Sequence, residues 1–186
     1  MRNKRGFTLV ELLATITILG VIMMIAVPTV SIYINKSKVD SFVYTAKQYE
    51  KSAEDLYLLD RIQCNGLSAF ESGNGSYVVW FTTNSSGGVV YNNYKKLIKE
   101  GGKSPFGNID VAGFIYFVKT GDSEDETINW YISLRDAEGN GIKNGSNSYV
   151  NINELNSSKI VRKDAPMPTV PPAPVGEAGA ISCNIN

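Results

Sequence analysis

The chain divides by polarity before anything else is known of it. From Phe7 to Asn35 apolar residues follow one another with a single charge, Glu11, and from Leu12 through Ile34 there is none. At about 1.5 Å per residue, a helix over this run is long enough to cross a hydrocarbon core of roughly 30 Å. Past Asn35 the pattern turns amphipathic. Val39, Phe42, Val43, Ala46, Tyr49, Ala53, Leu56 and Leu59 recur at spacings of three and four, with Lys36, Lys38, Asp40, Lys47, Lys51, Glu54 and Asp55 between them. This predicts a helix with one buried face. Taken as one helix from Phe7 to about Asp60, it would span roughly 80 Å, half of it apolar all round and half packed on a sheet.

The remaining pattern is that of strands. Tyr77 to Thr83 (YVVWFTT) is β-branched and aromatic and closes on the turn signal Asn84-Ser85-Ser86-Gly87-Gly88. Phe114 to Lys119 (FIYFVK) and Ile128 to Leu134 (INWYISL), joined by the polar loop Thr120 to Thr127, predict an antiparallel hairpin. Tyr149 to Ile152 predicts an edge strand, and Tyr91 to Glu100 a short helix ended by Gly101-Gly102. The expected fold is α+β: a long N-terminal helix laid against an antiparallel sheet. After Asp164 the chain reads APMPTVPPAPVGEAGA, which favours neither helix nor central strand and predicts an extended tail.

Composition narrows the chemistry. Lys plus Arg and Asp plus Glu are 18 each, so the formal charge is zero and no global field attracts nucleic acid. There is no histidine, which removes the commonest general base and metal ligand and argues against a hydrolase or zinc enzyme. GxSxG, HExxH, CxxC and phosphate-loop patterns are all missing, so no catalytic residues and no cofactor are expected. The nearest approach to a site is Asp136-Ala137-Glu138-Gly139-Asn140-Gly141, with oxygen ligands Asp136, Glu138 and Asn140 at alternate positions and glycine sixth, as in a calcium loop. Asn147 stands where the bidentate acid belongs, and a plain turn after a strand is the favoured alternative. The acidic run Asp122, Glu124, Asp125 and Glu126 reads as a solvated hairpin tip, or as a contact for a basic patch on another subunit. Trp80, Phe81, Tyr91, Tyr94, Phe114, Tyr116, Phe117, Trp130 and Tyr131 fall mostly at alternating strand positions. That suits a core better than the stacking of nucleic-acid bases, and nucleic acid is not expected as a partner. Asn35, Asn84, Asn144 and Asn156 begin glycosylation sequons in a chain so rich in asparagine that chance matches are expected. Cys64 and Cys183 are the two cysteines; free thiols are one reading, and a disulfide that straps the tail back to the end of the long helix is the other.

The amino terminus decides between the uses of the apolar run. Met1 to Gly6 (MRNKRG) is basic and acid-free, the flank that stays on the cytoplasmic side of a membrane. A secretory signal peptide would have a shorter core and a small-x-small cleavage site, which Ala26-Val27-Pro28 matches poorly. A plain membrane anchor leaves Glu11 to explain, either by snorkelling to the headgroups or by a partner at the same depth. A cut between Gly6 and Phe7 would create that partner, a new amine on Phe7.

Gly6-Phe7-Thr8-Leu9-Val10-Glu11-Leu12, after a short basic leader and before about twenty apolar residues with Pro28 among them, resembles the class III signal of type IV pilins and pseudopilins. The resemblance covers roughly the first 35 residues. It implies that prepilin peptidase removes Met1 to Gly6, that Phe7 is N-methylated, and that Glu11 neutralises the Phe7 amine of an adjacent subunit during assembly. It also implies a helix that loosens near Gly20 and Pro28, where a simple proline kink is the alternative. Many pilins carry a disulfide bounding a C-terminal region, whereas one between Cys64 and Cys183 would enclose almost the whole head.

The domains expected on this basis are a cleaved leader (1–6), a membrane or filament-core helix (7–35), a head (36–163) and a Pro-rich tail tethered by the disulfide (164–186). The function expected is that of a structural subunit, not an enzyme. It would be a single-pass precursor in the cytoplasmic membrane that the assembly platform packs with like subunits into an extracellular pilus. A pseudopilin of a secretion or DNA-uptake system is the alternative, and a surface adhesin that never polymerises is the alternative from another class.

Overall fold

Residues 7–83, 89–91, 102–121, 124–172 and 179–186 are described by the computed structural model. The predicted long helix is α1, Leu9–Leu58, within two residues of the expected bounds at each end. The chain forms two units, Met1–Lys38 and Val39–Asn186. The first contributes the apolar part of α1, and every described residue through Ser37 is exposed.

In the second unit, α1 buries Phe42, Ala46, Tyr49, Ala53 and Tyr57, a stripe at helical spacing. Val39, Val43 and Leu56 are partly buried beside it. Leu59, expected in that stripe, is 67% exposed because the helix ends one residue earlier. The end is a Schellman motif: Asp60, in the left-handed region at φ 54°, donates its N–H to Tyr57 O (3.0 Å), and Arg61 donates to Leu56 O (2.8 Å).

The strands are β1 (Ile62–Cys64), β2 (Leu67–Ser68), β3 (Gly75–Thr83), β4 (Val89–Tyr91), β5 (Lys103–Ser104), β6 (Ile109–Thr120), β7 (Thr127–Asp136), β8 (Gly141–Ile142), β9 (Tyr149–Asn151), β10 (Ile160–Val161) and β11 (Ile181–Ile185). Among the described residues they form one sheet in the order β10-β8-β7-β6-β3-β11-β1-β2, with β4 beside β3, β5 beside β6 and β9 beside β7. The expected hairpin is β6–β7, in register from Val111↔Asp136 to Thr120↔Thr127. β9 is the expected edge strand. The sheet is mixed, because β11 runs parallel to β3 while the other pairs are antiparallel.

Both faces of the sheet are covered, which is why β6 reads as an almost unbroken apolar run. Its Val111, Ile115 and Phe117 enter the core beneath α1, while Phe114 and Tyr116 enter a second cluster on the opposite face. Val170 and Ala180 of the C-terminal segment pack onto that second cluster. The segment therefore does more than trail as a tail: its last residues are a strand seated between β3 and β1, and Val170 and Ala180 pack on a sheet face. Tyr91, expected to start a helix, belongs to β4 and pairs with Phe81. The rest of that expected helix, and the turn at 84–88, lie outside the described residues.

Candidate functional site

At the start of α1, Thr8 and Glu11 bond reciprocally. The Glu11 N–H donates to Thr8 Oγ1 (3.3 Å), and the Thr8 N–H and hydroxyl both donate to Glu11 Oε2 (2.9 Å each). This is a capping box, which satisfies amide groups that a helix start otherwise leaves without partners. Its signal, Thr-x-x-Glu before an apolar run, was present in the sequence beside the assembly role assigned to Glu11. Among the described residues, Glu11 Oε1 accepts no hydrogen bond.

Beyond the box, apolar side chains stand exposed on all sides of the helix, from Leu9 (82%) to Ile34 (51%). The hydroxyls of its threonines and serine turn back onto the helix. Thr15 donates to Leu12 O (2.8 Å), Thr17 to Ala14 O (2.8 Å), Thr29 to Ile25 O (2.8 Å) and Ser31 to Val27 O (3.1 Å). No hydroxyl among these needs water, so the surface suits hydrocarbon or another apolar helix. Gly20 and Pro28 both lie within uninterrupted helix. A Cβ added at Gly20 would meet nothing within 4 Å. Phe7, the first described residue, is 86% exposed, and Gly6 lies outside the described residues. The helix is long and apolar enough to cross a membrane.

Residues 1–27 carry the prokaryotic N-terminal methylation motif. This methylation motif is the class III signal of type IV pilin and pseudopilin precursors, and with the apolar helix it fits a membrane-anchored precursor. It implies processing by prepilin peptidase and assembly in general terms, in keeping with a structural subunit. The match ends at residue 27, within α1, and leaves the head unassigned. No curated protein and no solved structure matches the chain.

Cys64 and Cys183 are joined in a disulfide. They face each other across the antiparallel pair β1–β11, and Asn186, the last residue, donates its N–H to Arg61 O (2.8 Å). The terminal strand is thus held beside the segment that leaves α1. β1 turns into β2 through Asn65-Gly66, both at positive φ (52° and 84°), the two-residue hairpin turn that an Asn-Gly pair favours.

The calcium-like loop is a turn. Asp136 is 1% exposed, and its carboxylate accepts four donors: Glu138 N (3.0 Å) and Asn140 N (2.8 Å) on Oδ1, Ser104 Oγ (2.7 Å) and Asn140 Nδ2 (2.7 Å) on Oδ2. Those bonds use up the lone pairs a cation would need. Asn140 Oδ1 accepts from the Lys163 N–H (3.3 Å). No group of three candidate ligands gathers among the described residues. Of the sequon asparagines, Asn156 caps the short 3-10 turn Ser157–Lys159, its Oδ1 accepting from Ser158 N.

The acidic run is not wholly solvated. Glu124 and Asp125 are exposed, but Glu126 lies 3.3 Å from the Lys119 ammonium and accepts a hydrogen bond from the Tyr57 hydroxyl. Lys119, 4% exposed, also donates to Phe70 O (2.7 Å) and Ala69 O (3.4 Å) and lies 5.0 Å from the Phe70 ring centroid. Burial, and then the bond to Glu126, raise the Tyr57 phenol above its ordinary range. This cluster ties α1, β6 and the start of β7 together, and its signal in the sequence was slight.

Proposed function

We propose that the chain is a type IV pilin, a structural subunit that polymerises into an extracellular pilus. The observation that carries the reading is the methylation motif at the head of a helix whose apolar residues from Leu9 to Ile34 are exposed among the described residues. In this reading the precursor sits in the cytoplasmic membrane with Met1 to Gly6 inside. Prepilin peptidase cuts between Gly6 and Phe7, Phe7 is methylated, and the assembly platform draws the helix out of lipid into a bundle of like helices. Lipid tails are as apolar as the side chains they surround, so close packing between helices drives that transfer rather than the hydrophobic effect. Gly20 and Pro28 are where the helix would yield as subunits pack.

Glu11 selects the register of the incoming subunit. Its Oε2 is engaged by the capping box, and its Oε1 is open to the Phe7 amine of a neighbour. Glutamine also completes a capping box, so it separates the two uses of this side chain. Glu11→Gln keeps the helix start and loses the charge, and both it and Glu11→Ala lower incorporation into filaments while the head unfolds at an unchanged temperature. Normal incorporation of Glu11→Gln, with no native subunit present, would reduce Glu11 to a cap.

Intact and N-terminal mass spectrometry of membrane and sheared extracellular fractions tests the reading itself. Sheared chains that begin at methylated Phe7 support it. Chains that keep Met1 to Gly6 and remain in the membrane refute it and leave a fixed anchor.

A further inference from the structure

Glu50 is a largely buried side chain whose carboxyl has no donor and reaches solvent only through a cleft. It lies on α1, is 9% exposed, and makes no hydrogen bond or ion pair among the described residues. Removing even part of an ionised carboxyl's water is unfavourable unless a donor meets it. Glu50 lines a cleft of about 690 Å³ formed by α1, the start of β7 and the 3-10 turn Ile152–Glu154. Glu54, Glu126, Lys47 and Lys51 share that lining with Tyr57 and Trp130. Glu126 is already engaged by Lys119 and Tyr57. Lys47 and Lys51 flank Glu50 along the helix, yet both are exposed and neither comes within ion-pair distance.

The chemistry of a fitting ligand follows. An anion would meet three carboxylates against the two exposed ammonium groups of Lys47 and Lys51 and would leave the Glu50 carboxyl without a donor, and an apolar group would leave Glu50 as it is. A cation with N–H groups supplies both charge and hydrogen bonds, and aromatic rings are favourable neighbours for it. We propose that this cleft binds an ammonium or guanidinium group, with Glu50 as the carboxylate that receives it. The group arrives as a basic side chain of a second copy of the chain or as a free amine, and neither source depends on the filament reading.

Ionisation of Glu50 is coupled to such binding. Burial, followed by the charges of Glu54 and Asp55, pushes its carboxyl up to about 7, with Lys47 and Lys51 opposing. From the other elements, the charges at the cleft are Glu126 and, behind it, Lys119; Asn153 of the 3-10 turn is neutral. A cation binds the ionised form, so its affinity rises about 30-fold between pH 5.5 and pH 8, in step with the ionised fraction.

The test is an NMR titration of the full-length chain in detergent micelles with n-butylammonium and ethylguanidinium as probes, read at the Glu50 side-chain carboxyl carbon. A saturable shift whose affinity climbs with pH as stated, and which weakens at least tenfold at pH 8 in the isosteric Glu50→Gln variant, supports the proposal. No saturable shift, or an affinity flat with pH, overturns it on the native protein alone, whatever the variant does. Equal affinity in a folded Glu50→Gln variant overturns it as well. Carbodiimide coupling of mixed ¹⁴N- and ¹⁵N-labelled chains then separates the sources. A Glu50 peptide joined to a lysine of the other label identifies a second copy, as does self-association by light scattering that Glu50→Gln abolishes where the donor is an arginine; probe binding with neither identifies a free amine. A failed titration leaves the filament reading standing, and membrane-retained uncleaved chains leave the cleft standing.

Discussion

The Lys119 ammonium is held by Glu126, by two backbone carbonyls and by the rings of Phe70 and Tyr57. Removing one partner of a buried pair leaves the other charge uncompensated, which typically costs about 3 to 5 kcal/mol. Lys119→Met therefore lowers head stability by roughly that amount, whereas the double variant Lys119→Met with Glu126→Gln recovers part of it, as chemical unfolding will read. Little in the sequence marked this residue. Lys119 stands at the end of an alternating strand, where a lysine usually faces water, and its burial depends on where the chain around Ala69 and Phe70 passes. Glu50 was just as hard to foresee, since one acid within a helical stripe reads as an exposed neighbour of Lys47 and Lys51. Its pH effect has a definite sign. Between about 4.5 and 7 the unfolded chain ionises Glu50 while the folded head keeps it neutral, so this group makes the head less stable as pH rises through that window. Glu50→Gln removes that loss, on the order of 2 kcal/mol, and narrows the gap between melting temperatures at pH 5 and pH 8.

At the scale of elements, the helical half of the head was legible because Phe42, Ala46, Tyr49 and Ala53 repeat at the period of a helix and meet one sheet face. The stop was less legible. Asp60 holds the left-handed position that glycine favours, and nothing in its neighbourhood announced it. Asp60→Gly relieves the Cβ strain there and raises head stability by about 0.5 to 1 kcal/mol, to be checked by thermal unfolding. The main strands were legible from β-branched and aromatic runs, and the β6–β7 hairpin from the polar loop between two of them. The strand at Tyr91 was missed because three residues carry no period. The capping box at Thr8 and the Asn65-Gly66 turn are written in the sequence in plain local form, as Thr-x-x-Glu before an apolar run and as an Asn-Gly pair.

Across the whole head, the Cys64–Cys183 bridge spans a sequence separation of 119 residues. In the chain-entropy picture a loop of that length contributes about 4 to 5 kcal/mol. Reduction, or Cys64→Ala with Cys183→Ala, lowers the melting temperature of the head accordingly; an unchanged melting curve would mean that the β1–β11 pairing holds without it. The sequence by itself determined the processing signal, the apolar helix and the α+β class. Each rests on residues near one another in the chain, on a periodicity or on a short motif, and local chemistry suffices to read them. Tertiary structure decided the rest. It placed the terminal strand parallel to β3 and inside the sheet, packed Val170 and Ala180 on the second sheet face, buried Lys119 against Glu126 and left Glu50 facing a cleft. These outcomes depend on which distant segments meet, and an amino-acid pattern records the demand for burial at each position without naming the residue that will supply it.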